Sequence, residues 1–353
     1  MSKYVIVTGS CGLIGMESCL FFHKKGFRIV GIDNDMRSYF FGKGASTAAN
    51  RKFLEESIEG YEHYNLDIRD FISMQDIFEK YGSKIECVIH CAAQPSHDWA
   101  VKEPFTDFNI NATATLNLLE LTKNCCKEAP FIFMSTNKVY GDRPNGIYKD
   151  CNFEIKELDT RYEAFADGEL YEVAEDMSID GCKHSVFGAS KVAADVMVQE
   201  YGRYHGMNTV CFRGGCLTGG GHAGAELHGF MSYLVKCMKQ NNHYTIFGYK
   251  GKQVRDNIHS WDLVNAFWHY YQKPTPAAVY NIGGGRNNAV SMFEVIGLIN
   301  EEMGTKWDNY TLSDENRVGD HIWDISDVSS IKNDYPEWDI TKSMNDIIKE
   351  MVA

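Results

Sequence analysis

Residues 3–33, KYVIVTGSCGLIGMESCLFFHKKGFRIVGID, decide the fold. Lys3 to Thr8 reads as a short buried strand. Gly9, Gly12 and Gly15 follow at Gly-x-x-Gly-x-x-Gly spacing, and a helical pattern continues through Lys24. A second apolar run, Phe27 to Ile32, stops at Asp33, eighteen residues past Gly15. Strand, glycine turn, helix, strand and acid, in that order, are the parts that hold a dinucleotide. Gly9 permits the tight turn, Gly12 lets the backbone approach a pyrophosphate, and Gly15 lets the helix lie against the sheet. With Leu13 and Ile14, these residues form the expected phosphate contact, because a helix N-terminus offers unpaired N–H groups to an anion. Asp33, with Asn34 beside it, is placed to accept ribose hydroxyls and to repel a 2′-phosphate, which favours NAD over NADP. Arg37 pulls weakly the other way. A glycine turn that binds nothing is the weaker alternative.

Composition narrows the class. A chain of 353 residues with 44% hydrophobic and 24% charged residues has the make-up of an ordinary globular protein with a large core. Its net charge of −13 argues against a nucleic-acid partner, since a phosphate backbone needs a basic surface. No apolar run approaches the roughly 20 residues of a membrane span. The N-terminal strand leaves no room for a signal peptide. The eleven cysteines are odd in number, and Cys87, Cys91 and Cys211 fall in core strands, so reduced thiols and a cytoplasmic location are expected. No Cys-x-x-Cys pair and no His/Glu/Asp cluster has metal-ligand spacing, so no metal is expected.

Further strands are predicted at 61–68, 85–92, 130–135 and 207–212, separated by helical patterns at 71–81, 109–125 and 187–204. This alternation implies an α/β fold, a Rossmann-type doubly wound parallel sheet. Past about residue 213 it gives way to glycine-rich loops, helices and short strands. The expected division is therefore a cofactor domain over 1–213, with a return segment near 253–282, and a smaller C-terminal α/β substrate lobe over 214–353. Residues 150–180 carry eleven acids against Lys156 and Arg161 with no clear apolar period, which reads as a solvated, partly mobile insertion.

Ligands of such sheets bind beyond the carboxyl ends of the strands. His90-Cys91-Ala92-Ala93-Gln94-Pro95-Ser96 follows one strand with small residues that can pass close to an adenosine ribose. Met134-Ser135-Thr136-Asn137-Lys138-Val139-Tyr140-Gly141 places two hydroxyls at the mouth of another. A later helix opens with His184-Ser185-Val186-Phe187-Gly188-Ala189-Ser190-Lys191, and positions 187 and 191 share one helix face.

These stretches resemble the extended short-chain dehydrogenase/reductases, in their nucleotide-sugar epimerase and dehydratase branch. The similarity spans nearly the whole length. It includes the Gly9/Gly12/Gly15 turn, Asp67 with Ile68 after the third strand, and Asn111 in the segment 111–120. It continues through Arg213 to Gly219, Arg255 to Ser260, Asn281 to Gly285 and Arg317 to Asp320. Within that branch, STNKVYG at 135–141 and FGYKGKQVRDNIHS at 247–260 most resemble proteins classed as CDP-tyvelose (CDP-paratose) 2-epimerases.

The resemblance implies a mechanism. A tyrosine takes the proton from a sugar hydroxyl while NAD takes the hydride from the same carbon. A lysine four residues later binds the nicotinamide ribose and lowers the tyrosine pKa, and a strand-end Ser or Thr bonds the sugar oxygen. Lys191 and Thr136 match this plan, and Asp67, Ile68, Ala92, Ala93, Gln94 and Asn111 join the implied cofactor set. Position 187 departs from it: Phe187 stands where the family tyrosine belongs and has no proton to exchange. An introduced Tyr→Phe change, a subgroup that moved the role to another residue, and a protein that binds without turnover all stay open. Tyr140 and Lys138 lead the substitutes, although each also reads as a packed loop aromatic and a phosphate or surface cation. His184, Cys216, His222 and Glu226 come next.

On the substrate side the resemblance puts Arg255 and Arg317 on a diphosphate, where a bidentate guanidinium suits. Gln94, Thr136, Asn137, Cys216, His222 and Glu226 complete that set, with Lys250, Lys252 and Arg286 as weaker cations. His228 and His259 read as structural. The expected ligand is a nucleotide-diphosphate sugar, CDP-linked by preference, and the expected activity an NAD-dependent epimerase acting at C2 of a hexose. A 4-epimerase or a dehydratase would use the same ketone. A dehydratase, however, wants Asp-Glu after the strand-end Thr, where this chain has Asn137-Lys138. A homodimer is implied through the helices at 109–125 and 187–204, by way of exposed stripes that include Leu118, Tyr201 and Tyr204.

Overall fold

The computed structural model describes residues 3–146, 152–221, 229–316 and 319–353. Its centre is a seven-stranded sheet. β1 (Tyr4–Thr8), β2 (Arg28–Ile32), β3 (Glu62–Tyr64), β4 (Ile85–His90) and β5 (Phe131–Thr136) are joined by strands Thr209–Gly214 and Ala278–Ile282. Every pairing is parallel, and the spatial order runs β3-β2-β1-β4-β5, then 209–214, then 278–282. The order reverses between β1 and β4, which opens a crevice above their carboxyl ends.

Both faces are covered, as parallel sheets require. Residues that alternate along β1 show how. Val5 and Val7 pack with helix α1 (Leu13–Lys24) and helix Ser260–Gln272, while Ile6 packs with helices Phe71–Tyr81 and Ala114–Cys125. The 109–125 pattern is one helical run broken by a π-turn at Asn109–Thr113. Its Leu118 is fully buried in that second face and Tyr201 is nearly so, leaving only Tyr204 exposed among the three residues expected to form a stripe. The apolar surface near these helices belongs instead to Val101, Phe105 and Phe108, with Val196 and Met197.

Only the later part of the 253–282 span returns to this sheet. Strand Val254–His259 pairs with Cys216–Thr218, Ala289–Ser291 and Trp323–Asp324 in a separate four-stranded sheet. A third apolar cluster, built on Leu234, Ile246, Val295 and Ile347, stabilises the remaining C-terminal helices. The acidic segment is also more ordered than its composition suggests. Strands Phe153–Glu157, Tyr162–Ala166 and Glu169–Leu170 form an antiparallel sheet. Ala164 is buried against Val254, Trp323 and Ile325. The segment is solvated, as expected, but it is paired and anchored, because its acids alternate with Phe153, Ile155, Ala164 and Tyr171, which find an apolar floor. No described helix is long and apolar enough to cross a membrane, and no disulfide joins the described cysteines.

Candidate functional site

A cleft of about 530 Å³ crosses the carboxyl ends of β1, β2, β4 and β5. The glycine turn forms one wall. Gly9 has φ +67°, and a Cβ there would meet the Ala92 backbone nitrogen at 2.7 Å; a Cβ on Gly15 would lie 2.0 Å from the Gly9 carbonyl oxygen. Gly12 differs. Its added Cβ would meet only the Gly9 oxygen, at 3.4 Å, and the residue borders the cleft. Helix α1 begins there with no side-chain cap and no acid in its first turn, so its leading N–H groups and positive dipole end suit an anion.

Asp33 accepts the backbone N–H groups of Cys11 at 3.0 Å and Asp35 at 2.9 Å. Burial raises its pKa, and these two donors pull it back. Burial also opposes ionisation of Asp67, but Arg69, 2.6 Å away, and the Asn34 side chain hold its carboxyl below the usual range. Leu13, Ile14, Ile68, Ala92 and Ala93 fill the rest of this wall. An open glycine cradle, an uncapped helix, an acid at the ribose distance and an apolar slot fit a dinucleotide.

Gln94 and Asn111, expected at the ligands, turn inward instead. The Gln94 amide donates to Asp107 Oδ1 at 2.7 Å and to the Ser96 carbonyl at 2.8 Å. Its backbone N–H donates to Asn111 Oδ1 at 2.9 Å, and Asn111 Nδ2 reaches Ser190 Oγ at 3.1 Å. Both side chains are buried and satisfy one another, as buried amides must. They lock the loop after β4 to helix Val186–His205 and do not border the cleft.

The floor is the end of β5. Thr136 Oγ1 accepts the Lys138 N–H at 3.2 Å. Lys191 donates to the Met134 carbonyl at 2.9 Å and lies 4.2 Å over the Phe133 ring. Burial lowers its pKa to about 8 despite Asp195 nearby. One helical turn earlier, Phe187 is buried and borders the same cleft. The edge of its ring meets His97, with centroids 4.9 Å apart and planes at 67°. Sequence reasoning missed His97. It lies one residue beyond the quoted 90–96 stretch, and no spacing links positions 97 and 187; only the fold brings them together.

The other candidates for the missing phenol separate cleanly. Tyr140 is fully buried away from the cleft; its hydroxyl donates to Asn281 Oδ1 at 2.7 Å and accepts from Arg213 at 3.0 Å, and burial pushes its pKa up to about 12. His184 Nε2 lies 2.8 Å from the Ile179 carbonyl, also off the cleft. Cys216 borders the cleft, but burial pushes its thiol up to about 12. Lys138 borders it as well, and burial lowers its pKa. Its Nζ lies 3.3 Å from His321 Nδ1, which lies 3.1 Å from Asp324 Oδ2. Burial disfavours the Asp324 carboxylate, yet His321, Lys138 and Arg255 hold it down to about 2.

Arg255 reaches the cleft while paired to Asp320, and Asn137 reaches it while donating to Asp324. Asp320 closes the Arg317–Asp320 stretch noted above, but its pairing with Arg255 and the parts played by His321 and Asp324 carried no signal in the sequence, because they depend on the late strand Trp323–Asp324 pairing with Val254–His259. Lys250 and Lys252 pair with Glu157 and Arg286 with Glu172, outside the cleft. His259 lies 3.0 Å from Glu350 and caps its helix at Trp261. His222, Glu226, His228 and Arg317 lie outside the described residues.

Comparison with known proteins decides the family. The sequence pattern described as "NAD dependent epimerase/dehydratase family" matches residues 5–283. The chain belongs to this family. Its cofactor is NAD, in keeping with the fit of the glycine wall. Family members similar over nearly the full length include the CDP-paratose 2-epimerase of Salmonella typhi, 28% identical over 98% of this chain and 97% of that one. The UDP-glucuronate 4-epimerase of Thermodesulfobacterium geofontis (strain OPF15) is 26% identical over 97% and 94%. Among solved structures, the UDP-glucose 4-epimerase of Thermus thermophilus in complex with NAD superposes with a TM-score of 0.78 at 21% identity, covering 99% and 98% of the two chains. That last likeness speaks to the fold, which is the α/β Rossmann-type sheet read from the sequence.

Proposed function

We propose that this family member is an NAD-dependent nucleotide-sugar epimerase that oxidises a sugar hydroxyl to a ketone and reduces it again, acting on C2 of a CDP-linked hexose. The observation that carries this reading is one cleft with two chemically different walls. The dinucleotide cradle and Lys191 lie on one side, and Arg255, Asn137 and Lys138 on the other, with Thr136 at the floor. When bound, NAD supplies a hydride acceptor that later returns the same hydride. Lys191 orients the nicotinamide ribose, Thr136 holds the reacting sugar oxygen, and Arg255 with Arg317 holds the diphosphate. The CDP and C2 preferences rest on the 135–141 and 247–260 stretches and on the Salmonella relative. Asn137-Lys138 disfavours a dehydratase.

The protein is further read as cytoplasmic and homodimeric, with Phe105 and Phe108 near helix Val186–His205 as the apolar contact. Phe187 favours a second reading, in which the protein binds both ligands and converts neither. Incubation with CDP-hexoses in deuterated water separates the two. A C2 isomer without label uptake is expected. Label beside a ketone would favour the dehydratase, and the absence of any isomer with CDP- or UDP-hexoses would leave only binding.

A further inference from the structure

We propose that Lys138 is the general acid/base of this site, exchanging the sugar-hydroxyl proton through Nζ, and that His321 is the positioning residue that keeps that amine free to accept it. The assignment rests on the epimerase reading above.

Three observations carry it. First, Lys138 borders the cleft on the turn that begins at Thr136, and its backbone N–H donates to Thr136 Oγ1 at 3.2 Å. One short stretch of backbone thus sets both the amine and the hydroxyl read above as the holder of the sugar oxygen. Second, both ring nitrogens of His321 face oxygen. Nε2 lies 2.8 Å from the Gly141 carbonyl and Nδ1 lies 3.1 Å from Asp324 Oδ2. A carbonyl and a carboxylate only accept, so an imidazolium alone satisfies both. Third, Lys138 Nζ is 3.3 Å from that same Nδ1. Two cations so close repel, and His321 and Asp324 are both buried away from screening water. A proton held on the ring therefore keeps the amine neutral.

The surroundings favour that arrangement. Nζ is faced by Arg255 and His321, by the Asp320 and Asp324 carboxylates and by the Cys216 thiol. Burial, with Arg255, lowers the Lys138 pKa against the pull of the two carboxylates. Burial and a charged Lys138 lower that of His321, while Asp324 raises it. The pair therefore carries one proton rather than two, and the adjacent carboxylate draws it to the ring.

The step balances. On oxidation the C–H hydrogen leaves as hydride to NAD, and the O–H proton passes to the Nζ lone pair, leaving a ketone and an ammonium. After the ketone turns over, the hydride returns to its opposite face and Nζ–H returns the proton to the oxygen. His321 keeps its own proton throughout, and no other reactant is consumed.

The test uses the full-length NAD-loaded enzyme and the CDP-hexose that the wild type isomerises. K138R keeps the cation but cannot give up its proton, so it separates a base from a charge that merely holds the diphosphate. K138M and K138R should each lose about 10²–10⁴ in kcat, the usual worth of a positioned acid/base, while K138R keeps its calorimetric affinity for that CDP-hexose within threefold. In H321Q the imidazolium is gone and Asp324 is left to hold an ammonium, so the acid limb of the kcat/KM profile should move to higher pH. A structural role alone would lower the profile without moving it. Independently of turnover, the ring nitrogens assigned to His321 by their absence in H321Q should both read as protonated at neutral pH. K138R within tenfold of wild-type kcat, an H321Q acid limb that stays or moves to lower pH, a neutral His321 ring, or a hundredfold gain from Phe187→Tyr alone would each overturn the assignment and leave the epimerase reading intact. Should H321Q fail to fold, the two Lys138 variants decide. A wild type inert toward all CDP- and UDP-hexoses would sink both.

Discussion

One carboxylate oxygen of Asp33 accepts the backbone N–H of Cys11 at 3.0 Å, so the acid placed for a ribose also holds the glycine turn closed. Cofactor affinity and the shape of the turn are therefore coupled through a single side chain.

Asp33→Asn tests both roles. The amide oxygen can still accept from Cys11, but the charge is lost and the amide nitrogen faces the Asp35 N–H that the second carboxylate oxygen accepted. A hydrogen bond to a charged group contributes about 1.5–3 kcal/mol, so NAD affinity should fall about tenfold to a hundredfold, with a measurable loss of folding stability from the lost Asp35 bond. Discrimination against NADP should shrink as well. Calorimetric titration with both cofactors checks this, and an unchanged NAD affinity would contradict the placement.

Gly15→Ala acts on the turn from the other side. The new methyl group would lie 2.0 Å from the Gly9 carbonyl oxygen, a backbone atom that cannot rotate away. Overpacking costs about 1–3 kcal/mol. A lower Tm and weakened NAD binding are expected together. Gly26→Ala, at φ +94° with no heavy atom within 4 Å, should lower stability through backbone strain while sparing NAD binding.

Lys191 supplies a pH signature. Burial lowers its pKa to about 8, whereas the unfolded chain keeps the ordinary value of 10.5. Between those values the unfolded state binds more protons, so the cost of burying the ammonium is full below pH 8 and fades as the pH rises toward 10.5. Relative to Lys191→Met, the wild type should gain stability over that window. Denaturant unfolding of both proteins at about pH 7.5 and about pH 10 measures it; a difference that stays flat or reverses argues against the buried cation.

Arg213 tests the sheet beneath the floor. It pairs with buried Asp195 at 2.7 Å, and Asp195 also accepts from Ser135 at 2.6 Å. Arg213→Met strands that carboxylate, which should cost about 3–5 kcal/mol. Arg213→Met with Asp195→Leu should recover part of the loss in urea unfolding.

The sequence exposed the fold because its signals were local. The glycine turn, Asp33 and the apolar strands each occupy a few consecutive residues, and the helices at 71–81 and 186–205 kept their predicted limits within a residue or so. Thr136, Phe187 and Lys191 were legible for the same reason. The errors came where distant segments meet. Leu118 looked like surface until the second helical layer covered it. The 150–180 acids looked unstructured until Trp323 and Val254 supplied a floor. Gln94 and Asn111 bore the right chemistry for a ligand, but the fold buries both, with Asp107 as their shared partner. His97, and the pairing of Asp320, His321 and Asp324 with Arg255, Lys138 and Asn137, had no local pattern at all.

The bond from Asn137 to Asp324 joins positions 187 residues apart. During synthesis the amino-terminal strands can assemble early, since domains tend to fold as they emerge. The carboxamide at the end of β5 then waits for a partner made much later. Coenzyme capture and sugar capture should therefore mature at different times on the ribosome, and a stalled nascent polypeptide lacking residue 324 should hold the first ligand while failing to hold the second.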